Sequence, residues 1–322
     1  MRTFVVPGSV LLAGEYAITC NGGLGLALAP DRFLRMQVEP DSRFSLTGHA
    51  HGAVVDGSDL GRAVLSAAAQ ILSLSPADNR LSGRVVVDSS ELFSDKGKKL
   101  GLGSSAALAV GLAAFFVDCV DPLDVRCSAE KLDIVRDIAL LGHRSFQGGG
   151  SGYDVYTSLY GGVGLFTGGE SPLWRPLGFD CGMGIALIPA REHVRSGPSV
   201  QSFRKLQVDR AADVARFIAH SDRVVLRLVD AVGSRGSCVS NLYGALMAAR
   251  RVGLWIGRTL GLDPEGGDLK RTLAEFRKRR IPCKASGAGG ELAVAFGFPP
   301  AYFSQASDVL CVKTAREGVK WR

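Results

Sequence analysis

The sequence predicts an α+β protein built from two mixed halves. With 322 residues, 46% of them hydrophobic, the chain can bury a large core and form one or two domains. Short apolar segments typical of strands are interspersed with longer segments of helical period, which is typical of mixed folds. The composition changes around residues 169–180, so we expect one domain over residues 1–175 and a second over residues 176–322.

The first half begins with strands and continues with helices. Alternating or continuous apolar runs predict strands at residues 3–6, 10–13, 24–29, 34–38 and 83–88. Apolar residues spaced by three and four predict helices at residues 59–74, from 104 to about 120, and at 129–143. Residues 156–162 and 164–167 are expected to lead to a further strand, after a glycine-rich loop at residues 147–153.

The second half repeats this mixture without repeating the sequence. Strands are expected at residues 184–188, 292–296 and 309–314, and helices at residues 212–232, 238–260 and 269–279. A second glycine-rich turn, residues 284–290, precedes the strand at 292–296.

The cysteine pattern and the amino-terminal segment indicate a cytoplasmic protein without a membrane partner. The chain has seven cysteines, an odd number, with no C-x-x-C pair, which fits a reducing compartment. Residues 1–17 are apolar, but Pro7, Gly8 and Glu15 interrupt them, so we do not expect a secretory signal there. No apolar run reaches the length of a membrane span.

The net charge is only moderately positive, at +7 from 38 basic and 31 acidic residues. The densest basic cluster is residues 277–280, and it follows the basic pairs at 250–251 and 270–271. Such runs are usually solvated helix faces, and aromatic residues do not interleave with them as nucleic-acid stacking platforms would. We therefore do not expect nucleic-acid binding, and a pocket for an anionic small molecule is a more economical use of this charge. The oligomeric state stays open.

Residues 98–107, Lys-Lys-Leu-Gly-Leu-Gly-Ser-Ser-Ala-Ala, carry the most informative local signal. Gly101 and Gly103 allow backbone angles that other residues avoid, and the apolar run after Ser105 predicts a buried helix. The free N–H groups of the first helical turn and the helix dipole favour an anion, and Lys98 and Lys99 add positive charge. The pattern predicts a polyphosphate-binding turn.

Two other interpretations of this turn are open. The pattern Gly101-x-Gly103-x-x-Ala106 loosely matches a dinucleotide-binding fingerprint, but the candidate strand at residues 85–87 ends well before it. An ordinary capped core helix would also explain the stretch. The chain has no G-x-x-x-x-G-K-[ST] sequence, which excludes a P-loop.

Three separated segments together resemble the three motifs of the GHMP kinase superfamily. They are residues 7–17 (Pro-Gly-Ser-Val-Leu-Leu-Ala-Gly-Glu-Tyr-Ala), residues 101–107, and residues 284–290 (Lys-Ala-Ser-Gly-Ala-Gly-Gly). Their order and spacing match across essentially the whole chain. The resemblance implies a ribosomal-S5-like N-terminal domain, a ferredoxin-like C-terminal domain and a nucleotide bound between them.

Two stretches are similar to the bacterial phosphomevalonate kinases within that superfamily. Residues 95–105 resemble that family's second motif, and residues 143–155 with the later Tyr160-Gly161-Gly162 resemble its catalytic loop. The resemblance implies ATP- and Mg²⁺-dependent phosphorylation of phosphomevalonate to diphosphomevalonate. Mevalonate kinase, or another small-molecule kinase of the superfamily, is the alternative.

The resemblance also assigns roles to the residues that match the motifs. Asp154 would orient or deprotonate the acceptor oxygen, although a turn or N-cap aspartate is the alternative. Ser105, or its neighbour Ser104, would bind Mg²⁺ through its hydroxyl. The residues implied to bind the nucleotide are Lys98, Gly101, Leu102, Gly103, Ser104, Ser105 and Ala106.

The acceptor site is implied less sharply. The glycine-rich third motif could be a plain hairpin turn, and the segment after residue 195 could be a polar loop leading into a helix. His143 stands where mevalonate kinases typically carry a metal-binding glutamate, and it is either a helix-end residue or a ligand. The residues implied to bind the acceptor are Glu15, Tyr16, Gln147, Ser151, Gly152, Arg195, Ser196, Ser199, Gly287 and Ala288.

The sequence departs from the resemblance at Ser9, where mevalonate and bacterial phosphomevalonate kinases usually have lysine. The change removes a positive charge from the place where the transferring phosphate needs it. Lys98, Lys99 or Arg195 could substitute, or the reaction could be slow, or the acceptor could differ. The third motif is also shorter, since Gly290 is followed directly by Glu291. A catalytically reduced nucleotide-binding homologue is therefore a second hypothesis.

Overall fold

The computed structural model describes residues 2–123, 128–178, 184–190, 196–233, 239–267, 269–287, 290–297, 303 and 309–322. Its strands are β1 (Arg2–Pro7), β2 (Val10–Ala13), β3 (Leu24–Leu28), β4 (Phe33–Glu39), β5 (Phe44–Ala50), β6 (Ala53–Val55), β7 (Gly83–Asp88), β8 (Val163–Thr167), β9 (Leu173–Leu177), β10 (Gly184–Pro189), β11 (Cys283–Ala285), β12 (Leu292–Gly297), β13 (Leu310–Val312) and β14 (Lys320–Trp321). Its helices are α1 (Ser58–Ile71), α2 (Ser104–Val120), α3 (Ala129–Gln147), α4 (Tyr153–Tyr160), α5 (Ser196–Asp209), α6 (Ala211–Gly233), α7 (Val239–Thr259) and α8 (Leu269–Lys278).

The chain divides into two compact units, and neither is continuous in sequence. The first unit comprises Met1–Ser9, Ala29–Gly162 and Ala315–Arg322, and the second comprises Val10–Leu28 and Val163–Thr314. The amino-terminal segment enters the second unit because β3 pairs with β8. The division therefore differs from the linear one expected at residue 175, since strand pairing joins segments that lie far apart along the chain.

The first unit is a sheet covered by helices. The strand order is β14-β1-β4-β7-β5-β6, and β5 with β7 is the parallel pair. Helix α2 is apolar on all sides and packs against β1, α1, α3 and α4. Its Phe115 and Phe116 contact Phe44 of β5, with ring centroids 6.4 and 5.1 Å apart. Burial of each such side chain contributes about 1.5–3 kcal/mol, so the carboxyl-terminal half of α2 is firmly fixed on the sheet.

The second unit contains two four-stranded sheets, ordered β2-β3-β8-β9 and β11-β12-β10-β13. Helix α8 buries Leu269, Leu273 and Phe276 in one core with Ala293 of β12 and Ile188 of β10. Helices α6 and α7 pack against each other, and α7 also contacts β11. Within the part of the chain that the structure describes, no helix is both long and apolar enough to cross a membrane.

The predicted α+β class is confirmed, and most predicted elements are present within a few residues. The strands β5, β6, β9, β11 and β14 and the helix α5 were not predicted. Strand β5 was missed because it is half exposed and is held by its long-range parallel pairing with β7. The segment after Gly152 forms helix α4 before β8 begins, because Gly152 supplies the left-handed start of that helix.

Candidate active site

The glycine turn leaves the amino end of α2 open to an anion. Gly103 is the N-cap residue, has a φ of 66° in the left-handed region, and supplies no side chain to cap the helix. Helix α3, in contrast, is capped by the Ser128 hydroxyl, which accepts a hydrogen bond from the N–H of Lys131. The first-turn N–H groups of α2 thus have no side-chain cap, and together with the helix dipole they favour a bound anion.

Ser9 packs directly against this turn. Its N–H donates to the Leu102 carbonyl at 3.0 Å, and a Cβ added to Gly103 would lie 2.1 Å from the Ser9 Oγ. Ser9 is 1% exposed, and its Oγ has no hydrogen-bond partner among the described residues. An unpaired buried hydroxyl costs about 1–3 kcal/mol. A phosphate oxygen held at the turn would supply the missing partner.

An open cavity of about 170 Å³ adjoins the turn within the first unit. Its polar side chains are Lys99, Ser104 and Ser105 near the turn, with Asp56, Asp59 and Ser89 elsewhere in the lining, so Lys99 and not Lys98 lines the cavity. Its apolar walls come from α1, α2, the strands and the end of α3, at Leu34, Leu46, Val55, Leu60, Val87, Phe93, Leu108 and Phe146. Mostly apolar walls beside an anion-binding helix end fit a ligand with a flat apolar group and a phosphate tail.

Ser105, His143 and Asp154 meet at the amino end of α2, although they come from three different helices. The His143 Nε2 lies 3.1 Å from the Ser105 Oγ and 4.0 Å from the Asp154 Oδ2. The Gln147 side chain donates to the same Ser105 hydroxyl at 3.4 Å. His143 is 2% exposed, whereas the Asp154 side chain is 19% exposed, so the carboxylate can reach a ligand that His143 cannot.

The glycine-rich loop before α4 places Asp154. Gly152 is the N-cap residue of α4 with a φ of 86°, and a Cβ there would lie 2.3 Å from the Leu140 side chain. Arg144 holds the loop by donating to the carbonyls of Gly150 at 3.2 Å and Ser151 at 3.0 Å. Asp154 then falls in the first turn of α4, where the helix dipole favours a negative charge.

Five described residues of the set implied for the acceptor site lie in the second unit, namely Glu15, Tyr16, Ser196, Ser199 and Gly287. Glu15 is 6% exposed and pairs with the ammonium of Lys284, which is 1% exposed. Tyr16 has a positive φ of 62°, packs its ring on Phe203 and shares a hydrogen bond with Ser199. Burial raises the pKa of Tyr16 to about 12, although the hydrogen bond with Ser199 acts in the opposite direction. A strained backbone beside buried polar groups is typical of functional sites.

The third motif is only partly described. The Ser286 hydroxyl donates to the Leu11 carbonyl at 2.7 Å, and Gly287 has a φ of 63°. Ala288 and Arg195 lie outside the described residues, and Ser196 is the first residue of α5. The acceptor roles implied for all these residues stay predictions.

Arg144 and Lys284, which the sequence analysis gave no role, and His143, which it left as a helix-end residue or a ligand, have a clear place in the structure. His143 joins Ser105 to Asp154, Arg144 holds the loop, and Lys284 neutralises Glu15. The spacing of His143, Arg144 and Gln147 at the end of α3 could have indicated a polar cluster. Lys284 could have been noticed as a charge between the apolar neighbours Cys283 and Ala285.

The side-chain oxygens at this site fit Mg²⁺ only when a bound phosphate supplies further ligands. Among the described residues, no group of three or more His, Cys, Asp and Glu side chains could hold a metal ion. Mg²⁺ usually takes one or two protein oxygens and completes its shell with phosphate oxygens and water. The Ser105 hydroxyl and the Asp154 carboxylate, on either side of His143, are such oxygens.

The comparisons with known proteins concern the family and the fold. Residues 63–162 match the family model described as the GHMP kinases N-terminal domain. None of the curated proteins matches the sequence.

Solved structures match over almost the entire chain at low sequence identity. A Lin0012 protein from Listeria innocua has a TM-score of 0.82 and 20% identity, covering 100% of this chain and 99% of that one. Streptococcus pneumoniae phosphomevalonate kinase, in complex with phosphomevalonate and AMPPNP, has a TM-score of 0.74 and 17% identity, covering 94% of each chain. L. major mevalonate kinase, in complex with R-mevalonate, has a TM-score of 0.68 and 15% identity, covering 97% of this chain and 95% of that one. Residues 63–162 therefore match the GHMP kinases N-terminal domain, and the chain as a whole has the fold of these solved structures.

Proposed function

We propose that this protein is an ATP-dependent kinase that phosphorylates a small anionic acceptor. The observation that carries the proposal is the meeting of Ser105 and Asp154 at His143, beside the uncapped amino end of α2. Phosphoryl transfer requires neutralisation of the phosphate charge and an oriented acceptor oxygen, with little covalent chemistry from the protein. The glycine turn and the amino end of α2 neutralise phosphate charge, and the partly exposed Asp154 carboxylate orients the acceptor oxygen.

In this proposal the nucleotide phosphates bind to the N–H groups of residues 101–106, and the base enters the apolar cavity beside them. Ser105, with Ser104 as the neighbouring hydroxyl, holds Mg²⁺ together with Asp154, and Lys98 adds positive charge. The metal ion would neutralise charge on the phosphates. Asp154 orients the acceptor oxygen and takes its proton where it carries one.

Phosphomevalonate is the acceptor with the most support. Residues 95–105 and 143–155 resemble the bacterial phosphomevalonate kinases, and one such enzyme shares the fold. The residues proposed to bind the acceptor are Glu15, Tyr16, Gln147, Ser151, Gly152, Arg195, Ser196, Ser199, Gly287 and Ala288. Mevalonate is the alternative acceptor, since a mevalonate kinase shares the fold as well. We place the reaction in the cytoplasm, where free thiols such as the buried Cys20 and Cys283 stay reduced.

Ser9 favours a second candidate function, a nucleotide-binding protein with little turnover. The residue offers a hydroxyl where the related kinases usually offer an ammonium group, so less charge is available for the transferring phosphate. Lys99 is the cation best placed to compensate, because it lines the cavity beside Ser104 and Ser105.

An acceptor panel separates these candidates. Purified protein with Mg·ATP would be offered phosphomevalonate, mevalonate, homoserine and galactose, and ADP release would be followed. We expect the fastest release with phosphomevalonate. Faster ADP release with another acceptor would show that phosphomevalonate is the wrong acceptor, but it would still support a kinase. ATP binding by calorimetry without release for any acceptor would favour the nucleotide-binding protein.

We expect Ser9→Ala to stabilise the ligand-free protein by about 1 kcal/mol, because it removes a buried hydroxyl without a partner. The same change should weaken ATP binding several-fold, since the phosphate loses one hydrogen-bond partner. Thermal unfolding measures the first effect, and calorimetry measures the second.

Ser158→Ala is the matched control for Ser9. The Ser158 Oγ is also buried without a partner among the described residues, but it lies inside α4 and not against the turn. It should give a similar stabilisation and leave ATP affinity unchanged. Equal ATP affinity in the two variants would contradict a phosphate contact by Ser9.

A further inference from the structure

Four arginines, three of them from the basic pair at 250–251 and the cluster at 277–280, line one cavity in the second unit. This open cavity of about 500 Å³ is lined by Arg227 of α6, Arg250 and Arg251 of α7, and Arg277 of α8. The four arginines are spread over 51 residues of sequence, from 227 to 277. Among the residues that the structure describes, none that is placed in the candidate active site lines this cavity.

Two of the four guanidinium groups are held rigidly by a buried carboxylate. Glu265 is 5% exposed and accepts two hydrogen bonds from Arg250, both at 2.7 Å, and one from Arg277 at 3.2 Å. Each guanidinium has five N–H donors, so both keep donors that Glu265 does not use. The carboxylate therefore fixes the direction of these two side chains and leaves part of each available to a ligand.

The other two guanidinium groups form no ion pair with any described residue. Arg227 and Arg251 are exposed, and the Nη2 of Arg227 lies 3.9 Å from the position that a Cβ on Gly244 would take. Gly244 thus leaves open the space beside Arg227. Four guanidinium groups with one carboxylate give the cavity an excess of three positive charges. Such like charges repel each other unless an anion lies among them.

We propose that this cavity binds a small anion carrying a diphosphate or two phosphate groups, at a site separate from the glycine turn. The planar fork of arginine matches phosphate oxygens, and convergence of several forks on a concave site selects a compact polyanion. A nucleic acid is disfavoured because Tyr243 is the sole aromatic residue among the described residues of the lining, which provide no row of stacking platforms. The proposal goes beyond the kinase reaction and does not depend on it.

The test is calorimetry with inorganic pyrophosphate and three variants of the full-length protein. Arg227→Glu/Arg251→Glu reverses the two exposed charges of the cavity and leaves the Glu265 cluster intact. Arg223→Glu/Arg258→Glu makes the same change of net charge at exposed arginines on the same two helices, outside the cavity. Gly244→Leu fills the space beside Arg227 without changing the charge and with a better helix former.

We expect Arg227→Glu/Arg251→Glu and Gly244→Leu each to weaken pyrophosphate binding at the cavity at least tenfold. The pyrophosphate affinity of Arg223→Glu/Arg258→Glu should stay within about twofold of that of the original protein. Wild-type affinity and stoichiometry in both cavity variants would overturn the proposal. The proposal would also be overturned if a 20-nucleotide single strand bound tightly through these arginines while pyrophosphate binding did not depend on them. Any pyrophosphate that binds at the glycine turn would bind equally in all variants, because none of them changes the turn. The result therefore does not depend on whether the acceptor panel supports the proposed kinase reaction.

Discussion

Asp154→Asn is expected to leave ATP affinity within about twofold and to lower turnover at least a hundredfold. Asparagine keeps the size of the side chain, but it carries no charge and accepts a proton far less readily than a carboxylate. Loss of a positioned general base typically costs about 10²–10⁴ in rate. Nucleotide affinity should survive because it depends mainly on the turn and the amino end of α2, and because Ser105 and the amide oxygen of the new asparagine side chain still offer oxygen atoms to Mg²⁺.

The measurement pairs ATP binding by calorimetry with ADP release in the presence of the best acceptor. Glu130→Gln is the matched control, because it also removes a carboxylate from the first turn of a helix, but at an exposed position on α3. The control should keep its turnover. A near-normal kcat for Asp154→Asn would remove this residue from the reaction.

Lys284→Met is expected to lower the free energy of unfolding by about 3–5 kcal/mol. The ammonium group of Lys284 is buried against the Glu15 carboxylate and also donates to the Ala285 carbonyl. Methionine fills a similar volume, but it leaves Glu15 as an unpaired charge in the interior of the second unit. Replacement of both charges, in Glu15→Leu/Lys284→Met, should recover most of the lost stability because no buried charge remains.

Urea unfolding of the single and double variants measures both effects. Lys278→Met is the control, because it breaks the exposed pair with Glu275, in which the side chains are 73% and 58% exposed. Exposed pairs contribute about 0–1 kcal/mol, so this variant should stay close to the original protein. A loss below about 1 kcal/mol for Lys284→Met would show that the Glu15 carboxylate finds water or another partner.

Features that depend on a few consecutive residues could be predicted without the structure. The left-handed conformation of Gly101 and Gly103, and the bounds of α2 at Ser104–Val120, follow from glycine and an unbroken apolar run. The three motifs indicated the superfamily for the same reason, since each is a short local pattern. Strand β5 was missed because it has no strong pattern of its own and is held by a distant partner.

The sequence by itself thus determined the α+β class and the match of residues 63–162 to the GHMP kinases N-terminal domain, because local backbone preference and apolar periodicity depend on neighbouring residues. The phosphate-binding role of the glycine turn stays a prediction. Only the tertiary structure brought His143 to Ser105, 38 residues away, and Lys284 to Glu15, 269 residues away. It likewise gathered four arginines of three helices around one cavity. Such contacts arise when helices and strands pack, and packing joins residues whose separation along the chain carries no signal of their proximity.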